Sequence, residues 1–142
     1  MHNIHASCVS WQSQGVLILG ESGSGKSELC LRLITEFAAK LVADDRVELN
    51  VSHETIYAKA PNALKNMLEV RGVGILSVPA EEKSKISLVV KIIPASIAIE
   101  RLPQEEYWTF NDVSVPLLTI HQNEIAAPAK IIALLRWSIA VK

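Results

Sequence analysis

The residues with the clearest chemical signal form a glycine-rich segment at positions 20–27. They fit the pattern GxxxxGK[ST], and in chain order they are Gly20, Glu21, Ser22, Gly23, Ser24, Gly25, Lys26 and Ser27. In loops of this kind the glycines let backbone N–H groups face a β-phosphate, the lysine reaches the β- and γ-phosphate oxygens, and the serine hydroxyl can ligate Mg²⁺. The pattern therefore predicts a phosphate-binding loop (P-loop) that holds a nucleotide with Mg²⁺.

The sequence on either side of this loop favours the same interpretation. Residues 15–19 form an apolar run typical of a buried strand, and residues 28–39 carry leucine, isoleucine and phenylalanine at helical spacing. A strand, a loop and a helix are the three elements that the motif requires. This context disfavours the alternative, which is a flexible Gly/Ser turn ahead of a helix.

Two adjacent aspartates, Asp44 and Asp45, close the apolar strand predicted at residues 41–43. In sheets of this kind the carboxyl ends of the strands face the nucleotide, and phosphoryl transfer needs a carboxylate for a metal ion or for a proton. Neighbouring strand residues point to opposite faces, so we expect only one of the two to aim at the γ-phosphate. The alternative is a pair of aspartates in a solvated turn.

A second candidate cluster lies around Gly72 and Gly74. The chain has six glycines, and five of them fall in segments 20–25 and 72–74, which suggests that both segments bring backbone close to a ligand. In an extended segment Glu69 and Arg71 would share one face, as a metal-side carboxylate and a phosphate-side cation. A surface salt bridge between these two residues explains their spacing equally well.

A histidine and an arginine complete the candidates. The polar residues 12–14 separate two apolar runs, which predicts a β-hairpin. In the register of that hairpin, His5 lies opposite Gly20 and Glu21, beside the loop. The alternative for His5 is an ordinary, partly buried histidine. By its local sequence alone, Arg101 could be any exposed arginine.

The rest of the chain predicts an α/β fold built around one mixed sheet. The further predicted elements are strands at residues 47–51, 56–58 and 86–93, a turn feeding a strand at 69–76, a brief helix at 60–68 and a C-terminal helix at 128–140. The predicted hairpin makes the sheet mixed, because it adds an antiparallel pair to a strand–loop–helix unit.

Composition limits the function classes. With 142 residues, 49% of them hydrophobic, the chain predicts one domain with a packed core over residues 1–142. The net charge of −1 argues against a nucleic-acid-binding face. Cys8 and Cys30 lack metal-ligand spacing and predict buried thiols without a disulfide. Neither a secretory signal nor a membrane-length apolar run is found, so we expect a cytoplasmic protein.

Taken together, these motifs resemble the catalytic, C-terminal domain of bacterial HPr kinase/phosphorylase. The resemblance covers about residues 3–105 and rests on GESGSGKSE at 20–28, LVADD at 41–45, AP at 60–61 and EVRGVGI at 69–75. It implies a P-loop NTPase-like mixed sheet with flanking helices, similar to the nucleotide-binding core of phosphoenolpyruvate carboxykinase. It also implies a short form that lacks the N-terminal domain usually found before the catalytic domain.

The resemblance implies roles for six positions. Lys26 would bind phosphate. Asp45 would accept the proton of the serine hydroxyl that is phosphorylated, and His5 would act near this acid/base. A metal role falls to Ser27 and Glu69, the latter opening a catalytically important segment at residues 69–78.

The sixth position is Arg101, which lies within the sequence ERLP and would be an active-site arginine by the same resemblance. One departure from the family pattern bears on the reverse reaction. The family's basic Pro-Gly-Arg loop has no counterpart after Pro116, where the chain continues LLTIHQN. The missing loop argues against phosphorylase activity.

The function implied by the resemblance is that of a protein-serine kinase. It would use ATP and Mg²⁺ to phosphorylate HPr, the carrier of the sugar phosphotransferase system, and so regulate carbon metabolism. Homo-oligomers, hexamers by resemblance, are expected. One alternative is a nucleotide-sensing regulatory P-loop module with little or no phosphoryl transfer. Another is a small-molecule kinase built on the same loop, which would require a concave acceptor pocket.

Overall fold

A computed structural model describes residues 2–62 and 65–140. The strands are β1 (His2–His5), β2 (Ser7–Trp11), β3 (Gln14–Leu19), β4 (Lys40–Ala43), β5 (Arg46–Ser52), β6 (Thr55–Lys59), β7 (Met67–Val70), β8 (Gly74–Ser77), β9 (Lys83–Ile93), β10 (Glu106–Phe110) and β11 (Val113–His121). The helices are α1 (Lys26–Phe37) and α2 (Ala127–Arg136).

Within these residues a curled sheet of nine strands forms the body of the fold. Its order is β1-β5-β6-β9-β3-β2-β4, with β11 on β9 and β10 on β11. The long strand β9 is parallel to β3 and to β11 but antiparallel to β6, so the sheet is mixed, as predicted. The carboxyl ends of β3, β9 and β11 therefore meet at one edge, which is where α/β sheets bind ligands.

The predicted hairpin at the start of the chain is confirmed. Strand β2 pairs antiparallel with β3, from Ser7 opposite Ile18 to Trp11 opposite Gln14. Gln12 has φ 47° and Ser13 has φ 64°, the left-handed values that a two-residue hairpin loop needs. The hairpin delivers the end of β3 directly into the glycine-rich loop at residues 20–27.

Two apolar cores lie on the two faces of the sheet. On β3, Val16 and Ile18 pack into the core beneath α1 and α2, whereas Leu17 faces the opposite core. The opposite core is closed by the curl of the sheet, since Val47 of β5 and Ile56 of β6 contribute to it. Both helices thus cover one face, and the sheet itself covers the other.

The brief helix predicted at residues 60–68 is wrong in its last part. Residues 63 and 64 lie outside the described chain, but Met67–Val70 is strand β7 and pairs with β8. Leu68 is fully buried under α1 while its neighbours Met67 and Glu69 are exposed. This period-two burial is typical of a strand, and pairing with β8 overrides the local helix propensity.

The C-terminal region differs from expectation in two ways. Helix α2 has Pro128 in its first turn, as predicted, but it ends at Arg136 because Trp137 is extended, with φ −125° and ψ 152°. The hairpin β10–β11 was not predicted, although Asn111 (φ 45°) and Asp112 (φ 65°) form its turn. Neither described helix is long and apolar enough to span a bilayer.

Candidate functional site

The glycine-rich loop leaves β3 and forms the N-terminal end of α1. Gly23 has φ 80° and Gly25 has φ 100°, values that L-residues with a side chain rarely adopt. Gly25 is the residue before the helix, and within the described chain no side chain caps this end. The N–H groups of the first helical turn have no intrahelical acceptor, so they are available to a phosphate.

Lys26, the first residue of α1, lies beneath this loop. Its Nζ donates hydrogen bonds to the carbonyl oxygens of Gly20 (2.8 Å) and Glu21 (3.1 Å). Burial lowers the pKa of Lys26, and the negative charges of Asp45 and Asp44 oppose that shift. The ammonium group is therefore held in place and only partly solvated, which strengthens its interaction with an anion in the loop.

Asp44 binds the serine at the end of the motif. Its Oδ1 accepts a hydrogen bond from the Ser27 hydroxyl and another from the Ser7 hydroxyl, each 2.8 Å long. Ser7 is fully buried on β2, and its Oγ also accepts the backbone N–H of Asp45 at 3.3 Å. Asp44 is thereby fixed between the first turn of α1 and the neighbouring strand β2.

Asp45 points away from Asp44 because the backbone turns sharply between β4 and β5. The N–H of Arg46 bonds to the carbonyl of Asp44 at 2.8 Å, and Asp45 between them has φ 68°. A three-residue turn with positive φ is strained, and such strain persists where the surrounding structure enforces it. Asp45, and not Asp44, therefore faces the open side of the loop, and its aim at the γ-phosphate stays a prediction.

His5 reaches the site by a different route from the one predicted. The β2–β3 hairpin ends at the pair Ser7 and Ile18, and β1 pairs instead with β5, with His5 opposite Arg46. This register places Nδ1 of His5 3.4 Å from Oδ1 of Asp45. Chain proximity to the hairpin suggested the location, but pairing with a distant strand determines it.

The hairpin β7–β8 faces the loop and closes the site. Glu69 lies on β7, whereas Arg71 and Gly72 lie in the turn, so the predicted extended pairing of Glu69 with Arg71 on one face is wrong. Gly72 (φ 83°) and Gly74 (φ 137°) make the turn possible. Glu69 and Arg71 nevertheless line the same cavity.

That cavity has a volume of about 460 Å³. Of the predicted site residues, it is lined by His5, Ser22, Gly23, Gly25, Lys26, Ser27, Asp45, Glu69, Arg71, Gly72 and Gly74. Three further predicted residues lie outside this lining but form hydrogen bonds with Lys26 or Ser27: Gly20, Glu21 and Asp44. Ser24 lines a neighbouring groove.

Arg101 is exposed and lies outside the cavity lining. Its active-site role stays a prediction. Sequence reasoning missed Ser7 and Glu28, which also line the cavity. Glu28 directly follows the motif and was open to inference, whereas only strand pairing brings Ser7 next to Asp44.

Sequence comparison identifies the family of this chain. A sequence model of the family described as HPr Serine kinase C-terminal domain matches residues 1–138. The chain belongs to this family. A relative named HPr kinase/phosphorylase in Acidovorax sp. (strain JS42) is 42% identical across 75% of this chain and 36% of its own length.

Two other relatives carry the same name. The one from Lactobacillus delbrueckii subsp. bulgaricus is 39% identical, with 63% of this chain and 31% of the relative covered. The one from Caldanaerobacter subterraneus subsp. tengcongensis is 38% identical, with 82% and 42% covered. The chain thus spans less than half the length of these relatives.

The fold itself has a solved counterpart. A structure described as the Hpr(Ser) kinase/phosphatase from Coxiella burnetii matches with a TM-score of 0.83 over 96% of this chain and 95% of that chain, at 24% identity. The mixed α/β architecture is therefore confirmed. The likeness to the nucleotide-binding core of phosphoenolpyruvate carboxykinase stays a prediction.

Proposed function

We propose that this domain is a protein-serine kinase that transfers the γ-phosphoryl group of ATP, with Mg²⁺, to a serine hydroxyl of HPr. The observation that supports it best is that Lys26 and Asp45, which are far apart in sequence, line one cavity at the N-terminal end of α1. Phosphoryl transfer needs positioning and charge neutralisation more than covalent help. This cavity supplies a cation for the phosphates, Lys26, and a carboxylate, Asp45.

The phosphates would lie on the glycine-rich loop. Backbone N–H groups at Gly23 and Gly25 and the positive end of α1 would bind the β-phosphate, and the Lys26 ammonium would bind β- and γ-oxygens. Because Lys26 is held by two loop carbonyls, it needs little reorganisation when the phosphates bind.

The oxygen donors near Ser27 suit Mg²⁺, a hard cation that prefers oxygen ligands. Ser27 would ligate the ion, Asp44 would keep the serine hydroxyl oriented through its 2.8 Å hydrogen bond, and Glu69 would supply a carboxylate from the opposite hairpin. When bound, Mg²⁺ would neutralise charge on the β- and γ-phosphate oxygens.

Asp45 would accept the proton of the serine hydroxyl. Its side chain is 68% exposed at the cavity, so an incoming serine hydroxyl can reach it. As the serine Oγ forms its bond to Pγ and the bond from Pγ to the β-phosphate oxygen breaks, the hydroxyl proton passes to Asp45. His5, 3.4 Å from the carboxylate, orients it.

The deciding experiment incubates the protein with γ-labelled ATP, Mg²⁺ and HPr. Asp45→Asn removes the proton acceptor but tolerates the left-handed backbone, so labelling of HPr should fall by at least about a hundredfold while ATP still binds. Asp112→Asn is the matched control, because Asp112 has a similar φ of 65° in the β10–β11 turn. Unchanged labelling by the Asp45 variant would contradict the proposed role.

The same assay separates the two main candidate functions. A nucleotide-sensing module would bind ATP and leave HPr unlabelled even in the wild-type protein.

Adding inorganic phosphate to phosphorylated HPr tests the reverse reaction. In place of a basic loop, residues 117–121 continue as β11 and pair with β9, so we expect no transfer of the phosphoryl group from HPr to inorganic phosphate and no formation of pyrophosphate.

A further inference from the structure

A second, smaller cavity adjoins the first one at the start of α1. It has a volume of about 220 Å³ and shares Gly25 and Glu28 with the loop cavity. A nucleoside triphosphate whose phosphates lie on the glycine-rich loop can therefore extend past the first turn of α1 into this second cavity. We call this second cavity the groove.

The floor of the groove is apolar. Ile92 of β9 and Ile120 of β11 are direct partners in the parallel register, so their side chains lie next to each other on the helix-side face. Leu29 of α1 completes the lining from the helix. Adjacent aliphatic side chains near the carboxyl ends of parallel strands suit a flat, apolar group such as an aromatic ring.

The rim of the groove is polar and braced. Glu124 accepts the backbone N–H of His121 at 3.1 Å and forms an ion pair with Lys130 of α2. The exposed Asn123 lies between His121 and Glu124 in the chain and has φ 58°. Its side-chain amide offers both a donor and an acceptor. An amide can pair with the edge of a ring that presents complementary groups.

We infer that this groove holds the nucleoside half of the nucleotide, with a planar base over Ile92 and Ile120 and the base edge at Asn123. The inference rests on the proposed function. A larger apolar cavity of about 870 Å³ lies between β10, β11 and α2, but it shares no lining residue with the loop cavity. The groove, in contrast, shares Gly25 and Glu28 with the site of the phosphates.

The test compares ATP with inorganic tripolyphosphate, which has the phosphates and lacks the nucleoside. Calorimetry in the presence of Mg²⁺ should show that Asn123→Gly weakens ATP binding about three- to tenfold, the loss of one hydrogen bond. Tripolyphosphate binding should be unchanged. Glycine keeps the left-handed backbone of residue 123. Asn111→Gly, with φ 45° in the β10–β11 turn, is the matched control and should change neither affinity.

Photolabelling of the wild-type protein with 8-azido-ATP adds a readout that needs no variant. The modified peptides should map to residues 117–127 or to α1. Labels elsewhere, together with unchanged ATP affinity in Asn123→Gly, would overturn the groove and leave the proposed function standing. Failure of the wild-type protein to bind either ATP or tripolyphosphate would overturn both.

Discussion

The hydroxyl of Ser7 donates a 2.8 Å hydrogen bond to Oδ1 of Asp44. Oγ of Ser7 also accepts the backbone N–H of Asp45, so one buried serine fixes both members of the aspartate pair. Asp44 passes this constraint to Ser27 through a second hydrogen bond of 2.8 Å. Asp45 and Ser27 are thus both positioned by a residue that belongs to neither motif.

Removing that hydroxyl should loosen the site. Ser7→Ala leaves the Asp45 N–H without its acceptor, so we expect a loss of about 1–3 kcal/mol in the free energy of unfolding. We also expect turnover to require a higher Mg²⁺ concentration. Ser10→Ala is the matched control, because Ser10 is also buried on β2 but its Oγ has no partner among the described residues. Denaturant melts and Mg²⁺ titrations measure both effects. Equal behaviour of the two variants would disprove the positioning role.

Lys26→Ala should weaken the binding of phosphate groups. The ammonium is the buried cation beneath the loop, and charge-assisted hydrogen bonds to phosphate are strong, so tripolyphosphate affinity should fall by at least about tenfold. Lys40→Ala, at the exposed start of β4, should leave the affinity as it is. Calorimetry with tripolyphosphate separates this loss from any effect on the nucleoside. An unaltered affinity would remove Lys26 from the site.

The fold should weaken in acid partly through Glu124. Burial raises the pKa of its carboxyl, but the hydrogen bonds from Lys130 and the His121 N–H outweigh burial and hold the pKa below the ordinary 4.5. A lowered pKa in the folded state stabilises the protein above that ordinary value, and the stabilisation is lost as the pH falls through the lowered pKa.

Thermal melts of the wild-type protein and Glu124→Gln between neutral pH and about pH 3 test this expectation. The wild-type protein should melt higher at neutral pH, and the difference should shrink in acid. Glu54→Gln, in the exposed turn between β5 and β6, should show no such difference. A gap between wild type and Glu124→Gln that does not change with pH would show that the lowered pKa does not contribute.

Local sequence predicts most of the fold near the loop. The strand before the loop, the helix after it and the hairpin with Gln12 and Ser13 at its turn all follow from period and turn chemistry. The segment at Met67–Val70 shows the limit, because a brief helix was predicted and β8 pairing produces a strand. Short segments are decided by their partners, which local propensity does not reveal.

For this protein, the residue types and spacing by themselves determined that the glycine-rich motif at positions 20–27 joins a strand to a helix and that Asp44 and Asp45 follow a neighbouring strand. Tertiary structure alone decided which aspartate faces the cavity, how His5 reaches it and that Ser7 joins the two. The reason is physical: local sequence sets backbone preferences, whereas pairing of β1 with β5 and of β2 with β4 sets which distant side chains meet.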